Sequence, residues 1–232
     1  MPPLLFSLAQ LLLFSLLILG LTKPLGSYLF RVYEGEQPPL PRLLGPLERI
    51  TYRLCGVDPK RMHTWKEYAL ALLVFSTLGV LVTYAIQRLQ LLLPLNPQRL
   101  GPVPPALAWN TAVSFTTNTN WQAYSGEATM SYLTQMVGLT WHNFTSAAAG
   151  IGVALALARG LTRQPGPDGA RTLGNFWVDV IRSILYVLLP ICMVATLVLV
   201  SQGVIQNLSA YLEVITLDGT KQLLAMGPVA SQ

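Results

Sequence analysis

The chain has 232 residues, of which 52% are hydrophobic and only 11% are charged, against roughly 25% charged in a typical soluble domain. Its mean hydropathy of +0.49 excludes an ordinary soluble protein and indicates an integral membrane protein. The two cysteines lie too far apart for a zinc-type spacing, and with only two histidines there is no ligand set for metal catalysis.

The first apolar run, Leu4–Thr22, is long enough to cross a membrane, which takes about 20 residues. No lysine or arginine precedes this run, and no small-x-small cleavage site follows it, so it lacks the marks of a secretory signal peptide. We therefore predict a retained transmembrane helix.

A basic loop follows this helix, and prolines interrupt it at positions 38, 39 and 41. Within the loop, the segment Pro46–Leu54 places Leu47, Ile50 and Leu54 on one helical face with charges opposite. Such a helix either lies in the membrane interface or is an ordinary loop helix, and the sequence leaves both interpretations open. His63, near the end of the loop, is expected to be solvated.

A second span and a short helix are predicted next. Thr64 and Glu67 have the spacing of a capping box, which starts a span over Tyr68–Gln87. After a break rich in proline, Ala106–Phe115 predicts a helix of about ten residues, which is too short to cross a membrane.

The stretch Asn110–Gln122 is mostly small or polar, yet it lies between long apolar segments. In hydrocarbon, irregular backbone occurs only where it is buried in protein or lines a watery cavity. A short helix that ends inside the membrane directs its partly negative end inward, which favours a cation. The carbonyl oxygens of Thr117–Asn120 are then able to replace the hydration shell of an ion. The pattern predicts a pore but does not name the ion.

A third span is predicted over Thr129–Ala158. At its centre, Ser146–Gly152 consists almost entirely of small residues, which let helices approach closely in lipid. The polar residues Gln135, His142 and Asn143 are therefore expected to face protein. For His142, a hydrogen-bonded packing role is favoured over a role as a proton site.

The last predicted span is Phe176–Val200. Asp179 and Arg182 are spaced to pair on one face of this helix, and Pro190 is expected to kink it. The tail, Gln202–Gln232, is too mixed in composition to cross a membrane. The chain is thus predicted to hold four full spans and one re-entrant segment.

The distribution of positive charge predicts the orientation. Twelve of the 15 lysines and arginines lie in or beside two loops on one side of the spans. The positive-inside rule then places both loops in the cytoplasm, and the N-terminus, re-entrant segment and tail outside. The net charge of +5 is thus a topology signal and does not imply nucleic acid as a partner. The twelve are Lys23, Arg31, Arg42, Arg49, Arg53, Lys60, Arg61, Lys66, Arg159, Arg163, Arg171 and Arg182.

The sequence of Asn110–Glu127, followed by Gln135–Leu139 and Ser146–Ile151, closely resembles the potassium-binding subunits of the bacterial Kdp potassium-transporting ATPases. Lys23–Gly26 and Leu93–Gln98 are similar to the same family, so the resemblance covers the whole chain. It implies an all-α integral membrane fold of the potassium-transporter superfamily. In that fold, four potassium-channel-like units of span, re-entrant pore hairpin and span surround one selectivity filter.

The resemblance also implies a function, partners and site residues. The family imports K⁺ at high affinity in the bacterial inner membrane, and ATP is hydrolysed on a P-type partner subunit that is accompanied by small accessory membrane subunits. K⁺ is the transported ion, and no other cofactor is implied. The residues carried over are Thr117, Asn118, Thr119 and Asn120 as carbonyl ligands of K⁺, Gln122 just behind them, and Asn110, Thr111 and Ser114 on the pore helix.

The family's proteins are more than twice as long as this chain, so an N-terminal part is expected. One loop cannot encircle an ion, which leaves three hypotheses: an interrupted ion-translocating subunit, a truncated scaffold that binds the ATPase partner without conducting, and a channel of four copies. No ATP-binding or phosphorylation sequence is present, so no enzymatic activity of the chain alone is expected.

The expected parts are an extra N-terminal transmembrane helix (1–30), a cytoplasmic loop (31–67), one complete unit (68–160), a second cytoplasmic loop (161–175), and the first span of a second unit with an outward-facing segment (176–232).

Overall fold

The computed structural model describes residues 3–35, 41–162 and 172–232. The chain forms two compact units, Met1–Leu54 and Cys55–Gln232. Within the described ranges, four helices are long and apolar enough to cross a membrane. The predicted loop residues Pro38, Pro39, Arg163 and Arg171 lie outside those ranges.

The first unit begins with helix α1, Pro3–Tyr33. Its predicted end at Thr22 is wrong, because the helix continues through Lys23 and Pro24 for more than two further turns. A proline inside a membrane helix is tolerated when neighbouring groups satisfy the hydrogen bond that it removes. Helix α2, Gly45–Cys55, corresponds to the predicted segment Pro46–Leu54.

The second unit opens with helix α3, Trp65–Leu89, and its start confirms the predicted capping box. The Thr64 hydroxyl accepts from the Glu67 N–H at 3.4 Å, and the Glu67 carboxylate accepts from the Thr64 N–H at 2.8 Å. Arg61 contacts the same carboxylate at 2.8 Å. The capping box thus marks the helix start, which lies three residues before the predicted start of the span at Tyr68.

Helix α4, Pro105–Thr116, is the predicted short helix, and it is 12 residues long. A single helical turn, α5, covers Gly126–Thr129. The third long helix consists of a π-helical segment, Thr134–Thr140, and helix α6, Trp141–Thr162. Its predicted start at Thr129 is wrong, because the chain is extended at Met130, where φ is −114° and ψ is 125°.

The fourth long helix runs over Phe176–Ser201, close to the prediction. It consists of α7, Phe176–Arg182, a π-helical segment, Ser183–Leu188, and α8, Leu189–Ser201. The π-helical segment directly precedes Pro190, where a kink was expected. A wider turn suits this position, because proline offers no N–H to the regular helix.

The tail contains a β-hairpin that the sequence did not predict. Strands β1, Leu212–Ile215, and β2, Lys221–Leu224, are antiparallel, with Leu212 opposite Leu224. Outside the hairpin, the Tyr132 hydroxyl donates to the Ser209 carbonyl at 2.6 Å, which ties the tail to the start of the third long helix.

The main core of the second unit lies where α3, α6 and α7 meet. Tyr68 and Phe176 pack edge to face, with ring centroids 5.4 Å apart, beside the buried Ala148 and Ala149. The Tyr68 hydroxyl donates to the Gly152 carbonyl at 2.7 Å, and a Cβ at Gly152 would lie 2.9 Å from that hydroxyl. The small residues of α6 thus allow the close helix packing that was predicted.

One prediction about a polar residue near this core is wrong, and one ion pair was not predicted. His63 is buried rather than solvated, because its backbone N–H and C=O pair with Gly174 and Leu173 across the unit. Asp179 forms a bidentate ion pair with Arg159 of α6, at 2.6 and 3.0 Å, in addition to any contact along its own helix. Sequence spacing gives no signal for such a long-range pair.

Candidate functional site: the loop after helix α4

The predicted filter residues, Thr117–Asn120, directly follow the C-terminal end of α4. All four are exposed, as are Trp121 and Gln122. The sequence between Leu100 and Gly126 contains no charged residue. Any ion bound at this loop would therefore meet only neutral dipoles from that stretch of the chain.

The sign of φ alternates along the loop backbone. Asn118 and Asn120 have positive φ values of 59° and 56°, while Thr117 has a φ of −84°. Thr119 is not among the described residues with positive φ. Asparagine adopts this left-handed region several-fold more often than most residues, so the residue types match the conformation.

The amide N–H groups of the loop point back at α4. Asn118 donates to the Phe115 carbonyl at 3.2 Å, and Thr119 and Asn120 donate to the Ser114 carbonyl at 3.0 and 3.3 Å. In a planar trans peptide, the C=O points opposite to the N–H of the same peptide unit. The carbonyl oxygens of Thr117, Asn118 and Thr119 are therefore directed away from α4. This argument does not fix the direction of the Asn120 carbonyl.

These carbonyl oxygens have no hydrogen-bond donor within the described residues. A row of carbonyl oxygens without donors, carried on a fixed backbone, is the kind of ligand set that replaces water around a potassium ion. The same oxygens are also open to water. The geometry thus leaves three outward carbonyl oxygens that can accept from water or face a cation.

Ser114 is the main anchor of the loop. Its carbonyl accepts from the hydroxyls of Thr117 and Thr119 at 3.2 and 2.9 Å, in addition to the two amide groups. Its own hydroxyl donates to the Trp121 carbonyl at 3.0 Å. The predicted pore-helix residue thus fixes both the start and the end of the loop.

Helices α3 and α6 support the loop from outside the hairpin, which the sequence did not predict. The Ser146 hydroxyl donates to the side-chain oxygen of Asn118 at 3.3 Å. His142 lies 3.4 Å from the Thr116 hydroxyl and 3.1 Å from the Gly79 carbonyl. A Cβ at Gly79 would lie 2.7 Å from the His142 ring, so this glycine makes room for the histidine.

The other predicted site residues are not brought into this network. Thr111 is buried in α4, and neither its hydroxyl nor the side-chain oxygen of Asn110 has a partner within the described residues. The Gln122 side chain is exposed and forms no hydrogen bond to the described chain. The described residues therefore show no contact through which the Gln122 side chain could brace the loop.

Two buried glutamines at the C-terminal end of α3 position the hairpin: Gln87 lies in the helix, and Gln90 is its C-cap residue. The Gln90 amide nitrogen donates to the carbonyls of Gly101 and Thr129 at 2.6 and 2.9 Å, so it joins the chain before α4 to the chain after it. The Gln87 amide nitrogen donates to the Ala108 carbonyl of α4 at 3.1 Å. Burial raises the pKa of Tyr124, close to the loop, to about 12, so this residue adds no charge there.

Comparison with known proteins identifies the family. The chain matches the family model of the potassium-transporting ATPase A subunit over residues 12–232. The chain belongs to this family. Membership and the four helices of spanning length together confirm the predicted all-α integral membrane class, with the short α4 hairpin between two of the spans.

Curated members of the family are similar over almost the whole chain. The potassium-transporting ATPase potassium-binding subunit of Rhodospirillum centenum is 57% identical over 97% of this chain and 39% of its own length. Those of Mesorhizobium japonicum and Methylobacterium nodulans are both 56% identical, over 96% of this chain and 39% and 38% of their own lengths. The chain thus spans about two fifths of the length of these relatives.

Proposed function

We propose that this chain contributes one quarter of a potassium selectivity filter to an ATP-driven import complex. The backbone carbonyls of Thr117, Asn118, Thr119 and Asn120 are the ligands of K⁺. Asn110, Thr111 and Ser114 belong to the pore helix that carries them, and Gln122 lies at the mouth of the filter and contacts the ion or its water. Three similar loops complete the ring.

The observation that carries this proposal is the direction of the loop peptides. Three carbonyls point away from α4 and lack donors within the described residues. The N–H groups of the same three peptide units donate to carbonyls at the C-terminal end of α4. The same division forms at an ordinary helix C-cap of the Schellman type, in which the N–H groups of Asn118 and Thr119 donate to the Phe115 and Ser114 carbonyls. The support for the proposal is therefore that these outward carbonyls fall on the motif that resembles the family's filter. The neutral sequence around the loop suits a monovalent cation that passes through rather than one that is held tightly by carboxylates.

The remaining parts of the function follow from the family. The relatives' name describes potassium binding in a potassium-transporting ATPase, and this chain takes K⁺ from outside the bacterial inner membrane. A P-type partner hydrolyses ATP, small accessory membrane subunits complete the complex, and the chain itself is not catalytic. The N-terminus and the filter loop face outward, and the basic loops face the cytoplasm.

The test is ion selectivity in a complete transport complex. Gln122→Ala and Asn120→Val are expected to weaken the apparent affinity for K⁺ or its preference over Na⁺, measured by ion-stimulated ATP hydrolysis and uptake. Gln202→Ala is the matched control, because Gln202 is also an exposed amide but lies at the end of α8. Uptake kinetics equal to the parent in both loop variants would refute the site assignment.

A second candidate is a scaffold that binds the ATPase partner but carries no ion. It is favoured by one observation: residues 117–122 are exposed, so the described part of the chain does not enclose an ion at this loop. The scaffold hypothesis predicts co-purification with the partner subunits and equal melting temperatures in K⁺ and Na⁺. Stabilisation by K⁺ alone would count against it.

The hypothesis of a four-copy channel would be removed by an intact mass in mild detergent other than that of a tetramer.

A further inference from the structure

Helix α2 carries an apolar stripe that the described residues leave uncovered. Leu43 lies in the turn just before the helix, and Leu47, Ile50 and Leu54 lie within it. Their exposed fractions are 72%, 44%, 55% and 81%. Steps of four, three and four residues place these side chains above one another on one helical face.

The opposite face of α2 is buried although it carries polar groups. Gly45, Glu48 and Tyr52 are the buried residues of the helix. The Tyr52 hydroxyl donates to the Glu48 carboxylate at 2.6 Å. A helix on a water-exposed surface would bury its leucines and expose its glutamate. The arrangement here is the reverse, which indicates that the leucine stripe meets an apolar medium.

A row of arginines runs beside the stripe. Arg42, Arg49 and Arg53 are exposed and follow steps of seven and four residues, so they lie on one flank of the helix. Within the described ranges, none of the three forms an ion pair with an acidic side chain. The surface therefore combines an apolar stripe with a parallel line of unpaired positive charge.

We propose that α2 lies in the membrane interface and that its ligand is an anionic lipid surface. The stripe enters the boundary between headgroups and acyl chains, at a depth of about 5–10 Å. The arginines contact lipid phosphates from the flank of the helix, where long side chains reach the headgroups. The charge row favours lipid over an apolar protein partner. The proposal concerns the first unit alone and is independent of the ion path.

The first test measures depth by spin labelling in the full chain, reconstituted in lipid nanodiscs. Cys55 and Cys192 are free and exposed, so Cys55→Ser and Cys192→Ser give a background without thiols. Ile50→Cys labels the stripe, and Arg53→Cys labels the flank one turn away as the matched control. The Ile50 label is expected to collide mainly with oxygen, and the Arg53 label mainly with a water-soluble nickel complex.

Two results would overturn the proposal. An Ile50 label that is as accessible to the nickel complex as the Arg53 label shows a solvated helix. An Ile50 label that is shielded from both reagents shows that protein covers the stripe.

The second test varies the charge of the membrane and the charge of the helix. In the parent, phosphatidylglycerol is expected to increase the oxygen accessibility of the Ile50 label relative to phosphatidylcholine alone. Each of Arg42→Gln, Arg49→Gln and Arg53→Gln should lower the ratio of docked to undocked helix about five-fold in the anionic membrane. The charge-matched control combines Lys60→Gln, Arg99→Gln and Lys221→Gln, which are exposed residues outside α2. An equal response to phosphatidylglycerol in the triple arginine variant and the parent would refute the anionic surface as the ligand.

Discussion

At the scale of single residues, the two asparagines of the loop explain why φ alternates in sign along the backbone. The left-handed region costs an ordinary residue about 1–2 kcal/mol, and asparagine tolerates it better. Asn118 and Asn120 alternate with threonines in the sequence, so the residue types match the positive φ of both asparagines. The sequence did not reveal that the Ser114 carbonyl accepts hydrogen bonds from amide and hydroxyl groups of the loop. Those contacts depend on how the chain turns after α4.

Substitutions at Asn120 test this backbone requirement. Asn120→Gly is expected to leave the melting temperature in detergent nearly unchanged, because glycine adopts a positive φ freely. Asn120→Val is expected to cost about 1–2 kcal/mol, because a β-branched side chain opposes that φ. Ser125→Val is the control, since Ser125 is exposed and already extended, with a φ of −91°. Equal melting temperatures for the valine and glycine variants would contradict the left-handed conformation.

His63 gives a pH-dependent prediction outside the membrane spans. Burial, the largest cause, lowers its pKa below the ordinary value of 6.5, although the carboxylates of Glu67 and Asp179 act in the opposite direction. The folded state then binds fewer protons than the unfolded state, so the free energy of unfolding should fall as the pH drops below about 6.5. His63→Gln is expected to make the free energy of unfolding depend less on pH in this range. Parallel curves for the variant and the parent would contradict the burial of a neutral His63.

At the scale of helices, apolar length and capping predicted the four spans and α4, because both signals are local. The predicted end of α1 at Thr22 and the predicted start of the third span at Thr129 were wrong. The second error has a tertiary cause: the Gln90 side chain accepts from the Ser131 N–H and the Thr134 hydroxyl, both at 3.0 Å. These bonds hold the chain extended before the helix, and no local pattern reports them.

The pairing of Arg159 with Asp179 is a second contact of this kind, and it joins α6 to α7. The two side chains are 7% and 3% exposed, and the Tyr68 hydroxyl donates to the same carboxylate at 3.0 Å. Removing one partner from a buried pair costs about 3–5 kcal/mol, whereas replacing both by apolar residues costs much less. The pair thus links three helices of the second unit.

A double-mutant cycle tests this link. Asp179→Leu and Arg159→Met are each expected to lower the melting temperature strongly, and the double variant that combines these two substitutions is expected to recover much of the loss. Arg61→Gln is the control, because Arg61 pairs with Glu67 at the surface, where ion pairs contribute about 0–1 kcal/mol. Additive losses in the double variant would show that the two side chains do not act as a pair.

At the scale of the whole molecule, the membrane class followed from composition, and the fold and the family followed from the resemblance that the loop motif carries. The β-hairpin of the tail was missed, because four-residue strands with mixed polarity give a weak signal. The carbonyl direction was also beyond the sequence, since it depends on which peptide planes face α4. The central claim is that these carbonyls bind K⁺ once the remaining loops complete the ring.

The most direct measurement of that claim is carbonyl ¹³C NMR of Thr117 and Thr119 in a complete, transport-active complex. Replacing Na⁺ by K⁺ is expected to shift both carbonyl resonances and to leave Thr140, in the π-helical segment, unchanged. Resonances at Thr117 and Thr119 that do not respond to K⁺ while transport continues would contradict the account.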